Sequence, residues 1–428
     1  MTEPLKLGLA GIGTVGTGLV QLIAARADAL VAKTGRPIEI VAVSARNKRK
    51  KRGIDLSNMR FVSDPVALAN DPEIDVFVEL IGGEEGPAKE AVEAALQVGK
   101  HVVTANKALL AHHGSALAAL AEKHGAALNF EGAVAGGIPV VKAIREGLQG
   151  NDITRVFGIL NGTCNYILTK MERDGRDFAD VLTEAQDQGY AEADPTFDVG
   201  GFDTAHKLAL LTSLAFGTRT RFDTVYVEGI ETITPSDIEA AADLGYRIKL
   251  LGVAQRTARG LEQRMQPCLV PSDSPLGQLE GGTNMVVIEG DSVEQVVLRG
   301  PGAGEGPTAS AVMGDVCDLA RGLQIPTFGR PATSLEAAKP AVTGLPAPYY
   351  LRLGLLDKPG ALAKVAAILG DAGVSIDWMR QYAHAESTAP VLIVTHKTTR
   401  AALDVALDGC RNTDVVAGEP VALRIEEV

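Results

Sequence analysis

The sequence predicts an α/β protein built on a doubly wound parallel sheet, and three observations support this prediction. The apolar stretch Leu5–Ala10 is typical of a strand, and it leads through a glycine-rich turn into a helical stretch from residue 17 to about residue 33. Further apolar strands alternate with helices up to about residue 130, as in parallel sheets. Hydrophobic residues make up 46% of the chain and aromatic residues only 4%, which suits a compact α/β protein.

The length, charge and cysteine content narrow the class of protein further. A chain of 428 residues is long enough for about two to four domains. The formal charge of -12 argues against general nucleic-acid binding, which requires a basic surface. The cysteines form no C-x-x-C pair, as expected in a reducing cytoplasm; they are Cys164, Cys268, Cys317 and Cys410. No apolar run of membrane-spanning length and no signal peptide are found, so we expect a cytoplasmic protein without a membrane partner.

The N-terminal glycine-rich turn is typical of a dinucleotide-binding site. It lies between a strand and a helix and consists of Gly11-Ile12-Gly13-Thr14-Val15-Gly16. Gly11 permits a tight turn, Gly13 lets the backbone approach a pyrophosphate, and Gly16 lets the helix pack closely on the strand. The N-terminus of the helix then offers amides and a positive dipole to the phosphates.

The second strand, at residues 38–43, ends where a side chain contacts the ribose of the cofactor. NAD-selective sites usually carry an acidic residue there. This chain instead has Ser44-Ala45-Arg46, followed by a Lys/Arg run at residues 47–52. The missing carboxylate and the planar, bidentate guanidinium of Arg46 indicate NADP, with NAD left open. The basic run is equally consistent with a solvated loop.

Further strands at residues 75–81 and His101–Thr104, separated by a helix at residues 87–98, extend the parallel sheet. Ligands of such sheets bind at the carboxyl ends of the strands, where Thr104 and Lys107 lie. Lys107 is therefore a candidate to face the nicotinamide or the substrate. Without further support, an exposed lysine at the start of a helix is the simpler interpretation.

A second candidate centre combines Asp203 and Lys207. A glycine pair before the apolar run at residues 208–216 predicts a loop leading into a buried helix. The i to i+4 spacing places both side chains on one helix face, and Glu192 comes from the preceding loop. Two carboxylates and an ammonium in this setting suit proton transfer to a small polar substrate. An isolated pair at this spacing is more often a surface ion pair.

Over essentially its whole length, the chain resembles the homoserine dehydrogenase family. The resemblance rests on motifs in the same order: the N-terminal glycine turn and residues 104–107, 131–139, 161–163, 189–195, 198–207 and 300–309. It implies NAD(P)H-dependent interconversion of L-aspartate 4-semialdehyde and L-homoserine. That reaction serves threonine, methionine and isoleucine biosynthesis.

The resemblance also implies roles for single residues. Asp203 and Lys207 form the catalytic pair, with Lys207 the favoured proton donor and Lys107 the second candidate for that role. Glu192 and Asp198 bind the ammonium group of the substrate. The pocket around it is lined by Gly162, Thr163 and Tyr190.

A glycine-rich turn in the middle of the chain resembles the family's monovalent-cation site, usually sodium. The implied ligands are Glu131 and the backbone carbonyls of Val134, Gly136 and Ile138. Oxygen ligands suit such a hard cation. The alternative is a tight turn in which Glu131 forms a salt bridge.

A second glycine-rich turn, at residues 300–306, precedes a predicted helix at residues 308–323. It resembles the family segment that returns to close the nucleotide site. Gly304 or Gly306 would let the backbone approach the nicotinamide, although a lone loop of this kind is more simply structural. The nucleotide domain is then expected to be completed by residues 301–345.

The C-terminal part follows a proline-rich linker and resembles an ACT domain. Its predicted β-α-β-β pattern has strands at residues 350–356, 374–376 and 391–395, with the helix Ala361–Asp371 after the first of them. The resemblance implies feedback control with threonine as the effector. A dimerising or stabilising domain without a ligand is the alternative, and Trp378 replaces the small residue usual in the family.

The predicted architecture is thus a Rossmann-type doubly wound parallel sheet at residues 1–130, an α+β catalytic and dimerisation domain at 131–300, and a small ferredoxin-like ACT domain at 349–428. A homodimer or homotetramer is expected. Two competing hypotheses are another amino-acid dehydrogenase on the same scaffold and an amino-acid sensor that has lost catalysis.

The histidines enter none of these predictions. The spacing of His112, His113 and His124 suits no metal site, and His206 is expected on a different helix face from the catalytic pair.

Overall fold

The computed structural model describes residues 3–192, 194–341, 344–381 and 388–428. Ala193, within one of the motifs above, lies outside the described residues, as do two linker positions and six positions of the C-terminal domain. The first part of the chain contains β1 (Leu5–Ala10), α1 (Thr14–Thr34), β2 (Ile38–Ser44), β3 (Arg60–Phe61), α2 (Pro65–Ala69), β4 (Val76–Glu79), α3 (Pro87–Gln97), β5 (His101–Thr104), α4 (Lys107–Lys123) and β6 (Leu128–Asn129).

These six strands form one parallel sheet in the order β3-β2-β1-β4-β5-β6. The central strand β4 is buried throughout, as expected for a sheet covered by helices on both faces. The strand order reverses between β1 and β4, and a crevice at such a point is where doubly wound sheets bind their ligands. The predicted Rossmann-type sheet is confirmed.

Helix α1 begins at Thr14, three residues earlier than predicted, directly after the glycine turn. With 21 residues it is also long and apolar enough to cross a membrane, so the expectation that no segment reaches that length was wrong. Length and composition are weak evidence for a membrane span, because core helices meet the same test. Here α1 packs against β2 and against a helix from later in the chain.

The middle of the chain forms the second sheet and the helices around it. Its elements are α5 (Val140–Lys142), β7 (Ile153–Ile159), α6 (Gly162–Asp174), α7 (Phe178–Asp187), α8 (Thr196–Val199), α9 (Phe202–Phe216), β8 (Tyr226–Val227), α10 (Pro235–Asp243), β9 (Tyr246–Thr257), β10 (Gly260–Pro271), β11 (Thr283–Gly290), β12 (Glu294–Pro301) and α11 (Glu305–Ala320). Helix α11 returns to the first domain, where it packs on α1 and contacts β5.

The C-terminal domain has the ferredoxin-like β-α-β-β-α-β order, one helix and one strand more than the sequence pattern predicted. It comprises β13 (Tyr349–Leu356), α12 (Ala361–Asp371), β14 (Ile376–Gln381), β15 (Thr388–Thr395), α13 (Arg400–Arg411) and β16 (Val416–Ile425). Its strands do not form a separate sheet. Strand β16 pairs with β10 in parallel register, so the second sheet runs β12-β11-β7-β9-β10-β16-β13-β15-β14, with β8 beside β10.

A buried ion pair reinforces this junction. The guanidinium Nη2 of Arg264 on β10 lies 2.7 Å from Oε2 of Glu426, just after β16, and both side chains are almost fully buried. Burial alone would lower the pKa of Arg264, but Glu426 together with Cys268 and Glu262 outweighs it and raises that pKa above its usual range. Because removing one partner would leave a buried charge unpaired, the contact links the C-terminal domain firmly to the catalytic sheet.

Helix α9 connects the two sheets. Its residues from Thr204 to Phe216 are all buried, because neighbouring elements cover the helix on every side. It packs on α4 of the first domain and on β7, β9 and β10 of the second sheet. This position brings the start of α9 next to the start of α4, where Lys107 lies.

Candidate active site

A cavity of about 370 Å³ opens at the switch point of the parallel sheet. Its walls come from the segments after β1, β4 and β5, from the turn after β6, from α9, and from the glycine turn before α11. The lining residues include Thr14, Val15, Ile81, Gly82, Asn106, Lys107, Gly136, Lys207, Gly304 and Thr308. Both candidate lysines therefore face the same space as the two glycine-rich turns.

The first glycine turn has the geometry that a dinucleotide requires. Gly11 has φ of +100°, and a Cβ there would lie 2.3 Å from the carbonyl oxygen of Leu80, so only glycine fits. A Cβ on Gly16 would lie 2.2 Å from the carbonyl oxygen of Gly11. By contrast, a Cβ on Gly13 would meet no atom within 4 Å. The backbone at Gly13, the N-cap of α1, thus borders open space, as expected where a pyrophosphate approaches.

Asp203 is held between the two lysines. Its Oδ1 lies 3.0 Å from Nζ of Lys107, and its Oδ2 lies 2.7 Å from Nζ of Lys207. The Asp203 and Lys207 side chains are only 13% and 11% exposed, so the surface ion pair considered above is excluded. Lys207 also donates a hydrogen bond of 3.1 Å to the carbonyl oxygen of Leu160, just after β7.

These ion pairs change the pKa values of Asp203 and Lys107. Burial alone would raise the pKa of Asp203, but Lys207 and Lys107 outweigh it and hold that pKa below its usual range. Burial would likewise lower the pKa of Lys107, but Asp203 together with Asp198 and Glu192 outweighs it and raises that pKa. Asp203 is therefore ionised at neutral pH, and Lys107 is protonated in the free protein.

The start of α4 is built to present Lys107. The side chain of Asn106 caps the helix by accepting a hydrogen bond of 3.1 Å from the amide of Leu109. Its Nδ2 donates a hydrogen bond of 2.7 Å to the carbonyl oxygen of Gly83, in the loop after β4. Thr104 lies behind this wall, fully buried, and its hydroxyl donates a hydrogen bond of 2.5 Å to Glu79.

The predicted substrate-binding residues lie beside this cavity rather than lining it. Asp198 accepts a hydrogen bond of 3.3 Å from Nδ2 of Asn161. Burial, reinforced by nearby Asp203, raises the pKa of Asp198. Asp198 and the exposed Glu192 both contribute to the raised pKa of Lys107, so both carboxylates lie near that lysine.

Gly162, Thr163 and Tyr190 form one patch. The hydroxyl of Thr163 donates a hydrogen bond of 2.8 Å to the carbonyl oxygen of Tyr190. The ring of Tyr190 stacks on Tyr166 with 4.4 Å between centroids. A Cβ on Gly162 would lie 2.5 Å from the carbonyl oxygen of Gly282, so the start of α6 packs directly on the loop before β11.

The turn after β6 packs on the second glycine turn. A Cβ on Gly136 would lie 2.5 Å from the carbonyl of Gly302, and the amide of Gly137 donates a hydrogen bond of 3.0 Å to the carbonyl oxygen of Pro301. Ala135, with φ of +53°, is one of two non-glycine residues with positive φ in the described part of the chain. The strain of about 1–3 kcal/mol expected for such a conformation is typical of functional sites.

Glu131 is buried beneath this turn. Its carboxylate accepts hydrogen bonds of 3.0 and 2.9 Å from the amides of Val141 and Lys142. Burial and the neighbouring Asp315 raise the pKa of Glu131 to about 7. Glu131 thus makes no direct salt bridge among the described residues, which differs from the alternative considered above.

Some of the predicted cofactor-binding residues line the cavity and others lie outside it. Thr14, Val15, Lys107 and Gly304 line the cavity, while Gly306 lies inside α11 and Arg46 is exposed after β2. Ile12 lies in the turn itself.

Sequence reasoning missed several residues of the site. Asn106 and Thr308 line the cavity, and the only signal for them was their place beside predicted motifs. Arg52 was treated as part of a basic run, but its Nε donates a hydrogen bond of 2.9 Å to the carbonyl oxygen of Ile12. The basic loop is therefore anchored on the glycine turn.

The buried Lys249 on β9 was also missed. Its Nζ donates hydrogen bonds of 3.1 Å to Oδ1 of Asn165 and 2.6 Å to the carbonyl oxygen of Leu279. Burial lowers the pKa of Lys249 to about 8. Because Asn165 in turn donates a hydrogen bond of 2.8 Å to Gly281, this lysine supports the loop that packs on Gly162.

A nucleotide-binding sheet with a carboxylate and two lysines at its switch point supports hydride transfer coupled to proton transfer. The protein is an NAD(P)-dependent oxidoreductase, and comparison with known proteins identifies the family. Residues 139–317 match the homoserine dehydrogenase family model, residues 11–131 match its NAD-binding domain, and residues 349–408 match the ACT domain.

Relatives of known identity agree along the whole chain. A homoserine dehydrogenase of Pseudomonas aeruginosa is 44% identical and covers 100% of both chains. The crystal structure of a homoserine dehydrogenase from Thiobacillus denitrificans has a TM-score of 0.92 at 41% identity, covering 99% of this chain and 98% of its own. A hyperthermophilic archaeal homoserine dehydrogenase in complex with NADPH has a TM-score of 0.65 at 26% identity, covering 75% of this chain and 98% of its own.

The chain belongs to the homoserine dehydrogenase family and carries a C-terminal ACT domain. Homoserine dehydrogenase is thereby confirmed over the two alternatives, a different amino-acid dehydrogenase and a sensor without catalysis, while NADP preference and feedback regulation stay predictions.

Proposed function

We propose that Lys207, Asp203 and Lys107 are the proton-transfer centre of this homoserine dehydrogenase. The observation that supports the proposal is the placement of two lysine ammonium groups on opposite oxygens of one buried carboxylate. Both lysines line the cavity that the two glycine turns also line. Initial rates with L-homoserine or L-aspartate 4-semialdehyde and each cofactor, measured in variants of these three residues, test it.

Lys207 is the favoured proton donor to the carbonyl oxygen of the semialdehyde. Its ammonium has three N–H donors, of which Asp203 and the carbonyl of Leu160 occupy two. The third can point at a substrate oxygen without any change of position. The bound nicotinamide supplies the hydride to the carbonyl carbon. In the reverse direction neutral Lys207 accepts the hydroxyl proton, while Lys107 balances the charge on Asp203.

Glu192 and Asp198 are proposed to bind the substrate ammonium, with Gly162, Thr163 and Tyr190 shaping the pocket. The support is the position of both carboxylates near Lys107 and the contact of Thr163 with Tyr190. An ammonium placed beside Asp198 would oppose the repulsion from Asp203 that raises the pKa of Asp198.

The nicotinamide cofactor is proposed to be preferentially NADP, with Arg46 binding the 2′-phosphate. Strand β2 neighbours β1, so its carboxyl end lies beside the glycine turn, and Arg52 holds the following loop there. Arg46→Ala is expected to raise the KM for NADP by about 10- to 100-fold, the equivalent of one charge-assisted phosphate contact. The KM for NAD should stay within about twofold.

Steady-state kinetics with both cofactors measure this difference. Arg173→Ala, which removes an exposed charge on α6 far from the glycine turn in sequence, is the control. Equal losses with NADP and NAD in Arg46→Ala would refute the role of Arg46.

We further propose a monovalent cation, Na⁺, at Glu131 and the carbonyls of Val134, Gly136 and Ile138. The support is a buried carboxylate beside a turn with positive φ, where oxygen atoms are the available ligands. At constant ionic strength, NaCl is expected to raise Tm relative to tetramethylammonium chloride, and Glu131→Gln should abolish the difference. Equal Tm values in both salts would contradict the site.

Feedback inhibition by threonine through the ACT domain is also proposed, and with it a place in threonine, methionine and isoleucine biosynthesis. The bulky side chain of Trp378 still argues against ordinary effector binding. It lies on the edge strand β14 and is 37% exposed. Initial rates of homoserine oxidation with and without threonine test the proposal. Unchanged rates would favour a dimerising or stabilising domain.

The chain is proposed to form three domains and to assemble into an oligomer. The domain limits are 1–130 completed by 301–345, 131–300, and 349–428, and the return of α11 to α1 supports the discontinuous first domain. A homodimer or homotetramer in the cytoplasm is expected, and light scattering of the purified protein measures the oligomeric state.

A further inference from the structure

Three side chains that are far apart in sequence meet beside the catalytic pair. Glu84 belongs to the loop after β4, His112 to α4 and His206 to α9. Each offers a metal-ligating atom, and these atoms lie within 4.8 Å of one another. Nε2 of His112 is already 3.0 Å from Oε2 of Glu84. The expectation that the histidines suit no metal site rested on spacing within α4 and did not include His206.

His206 is the member that an ordinary packing role explains least well. The residue is 2% exposed, and its Nδ1 has no hydrogen-bond partner among the described residues. Its ring is enclosed by Phe222 and Phe197, with centroids 4.3 and 5.4 Å away, and by His112 at 5.3 Å. A buried polar nitrogen without a partner costs about 1–3 kcal/mol, and a ligand bound at the ring would remove that cost.

The chemistry of the three side chains selects the ligand. Two imidazoles and one carboxylate with a fourth position left for water are a common zinc set. Calcium and magnesium prefer all-oxygen ligands and are disfavoured here.

The exposed side chains of Glu84 and His112 have room to turn toward a metal bound at His206. Ligand atoms up to 4.8 Å apart need to approach to about 3.3 Å for tetrahedral bonds of about 2.0 Å. A small shift of the Glu84 and His112 side chains, both exposed, is sufficient.

We propose that Glu84, His112 and His206 form an inhibitory binding site for zinc or a similar divalent transition metal. The metal joins the loop after β4 to α9 at the edge of the 370 Å³ cavity, the proposed cofactor cleft, whose wall includes Gly82. His206 lies next to Lys207 in the chain and three residues after Asp203. A metal ion there restrains both walls of the cleft and slows the opening that cofactor exchange requires.

Zinc titration of the chelator-treated full-length protein tests the site directly. Calorimetry with ZnCl2 alone should show one tight site, and Co²⁺ should give the visible absorption bands of a tetrahedral complex. MgCl2 should not compete. The rate of homoserine oxidation should fall when zinc is added and recover when a chelator is added.

The variants His112→Ala and Glu84→Gln are expected to keep metal-free turnover, since neither residue lines the cleft. They should bind zinc at least about tenfold more weakly, lack the cobalt bands and resist inhibition. His113→Ala is the matched control: one position further along, its Nε2 lies 2.6 Å from Oε1 of Glu85 in an analogous pair. It should behave as the wild type does.

Two results would overturn the proposal. The first is zinc affinity and inhibition that are the same in His112→Ala and Glu84→Gln as in the wild type. The second is tight binding through these residues that leaves the rate of homoserine oxidation unchanged. Capture by thiols is disfavoured because the four cysteines are buried.

Discussion

Replacing Lys207 with methionine is expected to lower kcat for homoserine oxidation by about a thousandfold, the usual scale for the loss of a general acid or base. The Kd for the cofactor should change by less than about twofold. Lys207 is held by Asp203 and Leu160 with one N–H donor to spare, so methionine removes the proton carrier and little of the cofactor site. Stopped-flow and steady-state rates give kcat, and NADPH fluorescence gives the Kd.

The same substitution at Lys107 separates the two candidate donors. Lys107 is 34% exposed and forms an ion pair with Asp203 alone among the described residues. Lys107→Met should therefore lower kcat by about a hundredfold and raise the KM for homoserine.

Lys170→Met is the control for both variants. Lys170 pairs with Asp174 at the same i, i+4 separation and also with Glu184 on α7, and it does not line the cavity. Its removal should leave kcat unchanged. Near-normal turnover in Lys207→Met would refute its assignment as proton donor, and the reversed order of the two losses would assign the role to Lys107.

Asp203→Asn is expected to lower both turnover and stability. The amide leaves two ammonium groups without their counter-charge, one of them in a side chain only 11% exposed. Removing one partner of such a buried network costs about 3 kcal/mol of unfolding free energy. We expect kcat to fall by about a hundredfold or more, because the two lysines lose the carboxylate that holds them in position.

The stability loss should depend on pH in a defined direction. The pKa of Asp203 is lower in the folded protein than its unfolded value of about 3.9. The ion pairs therefore contribute stability that is fully present above about pH 5 and is lost as the pH falls through the folded-state pKa. Urea unfolding at pH 7, 5 and 3.5 should show the difference between wild type and Asp203→Asn shrinking at the lowest pH.

Asp174→Asn, in the exposed pair on α6, should change the unfolding free energy by less than about 0.5 kcal/mol. A loss for Asp203→Asn that is equally small, or one that grows as the pH falls, would contradict the ion pairs described here.

Local patterns in the sequence predicted much of the architecture. The alternation of apolar strands with helices indicated the parallel sheet, and a glycine turn between strand and helix indicated the nucleotide site. Strands β3 and β6 were missed because each has only two residues, too few for any periodicity. The pairing of β16 with β10 was also beyond prediction, since register between distant strands depends on how the domains meet.

The candidate active site was likewise predicted only as far as local sequence spacing reaches. The sequence predicted that Asp203 and Lys207 share a helix face, because four residues make slightly more than one turn. It did not show that Lys107, 96 positions before Asp203, contacts the other oxygen of that carboxylate. Nor did it bring His206 to His112 and Glu84, which lie on two other elements.

The sequence by itself determined the nucleotide-binding sheet, the order of the family motifs and the residue types available for proton transfer. These depend on local periodicity, glycine conformation and spacing along one helix. Only the tertiary structure decided that the pair is buried, that it is flanked by a second lysine, and that the C-terminal sheet continues the catalytic one. Burial and long-range contact set pKa values and ion-pair strength, and both arise from packing α9 between two sheets.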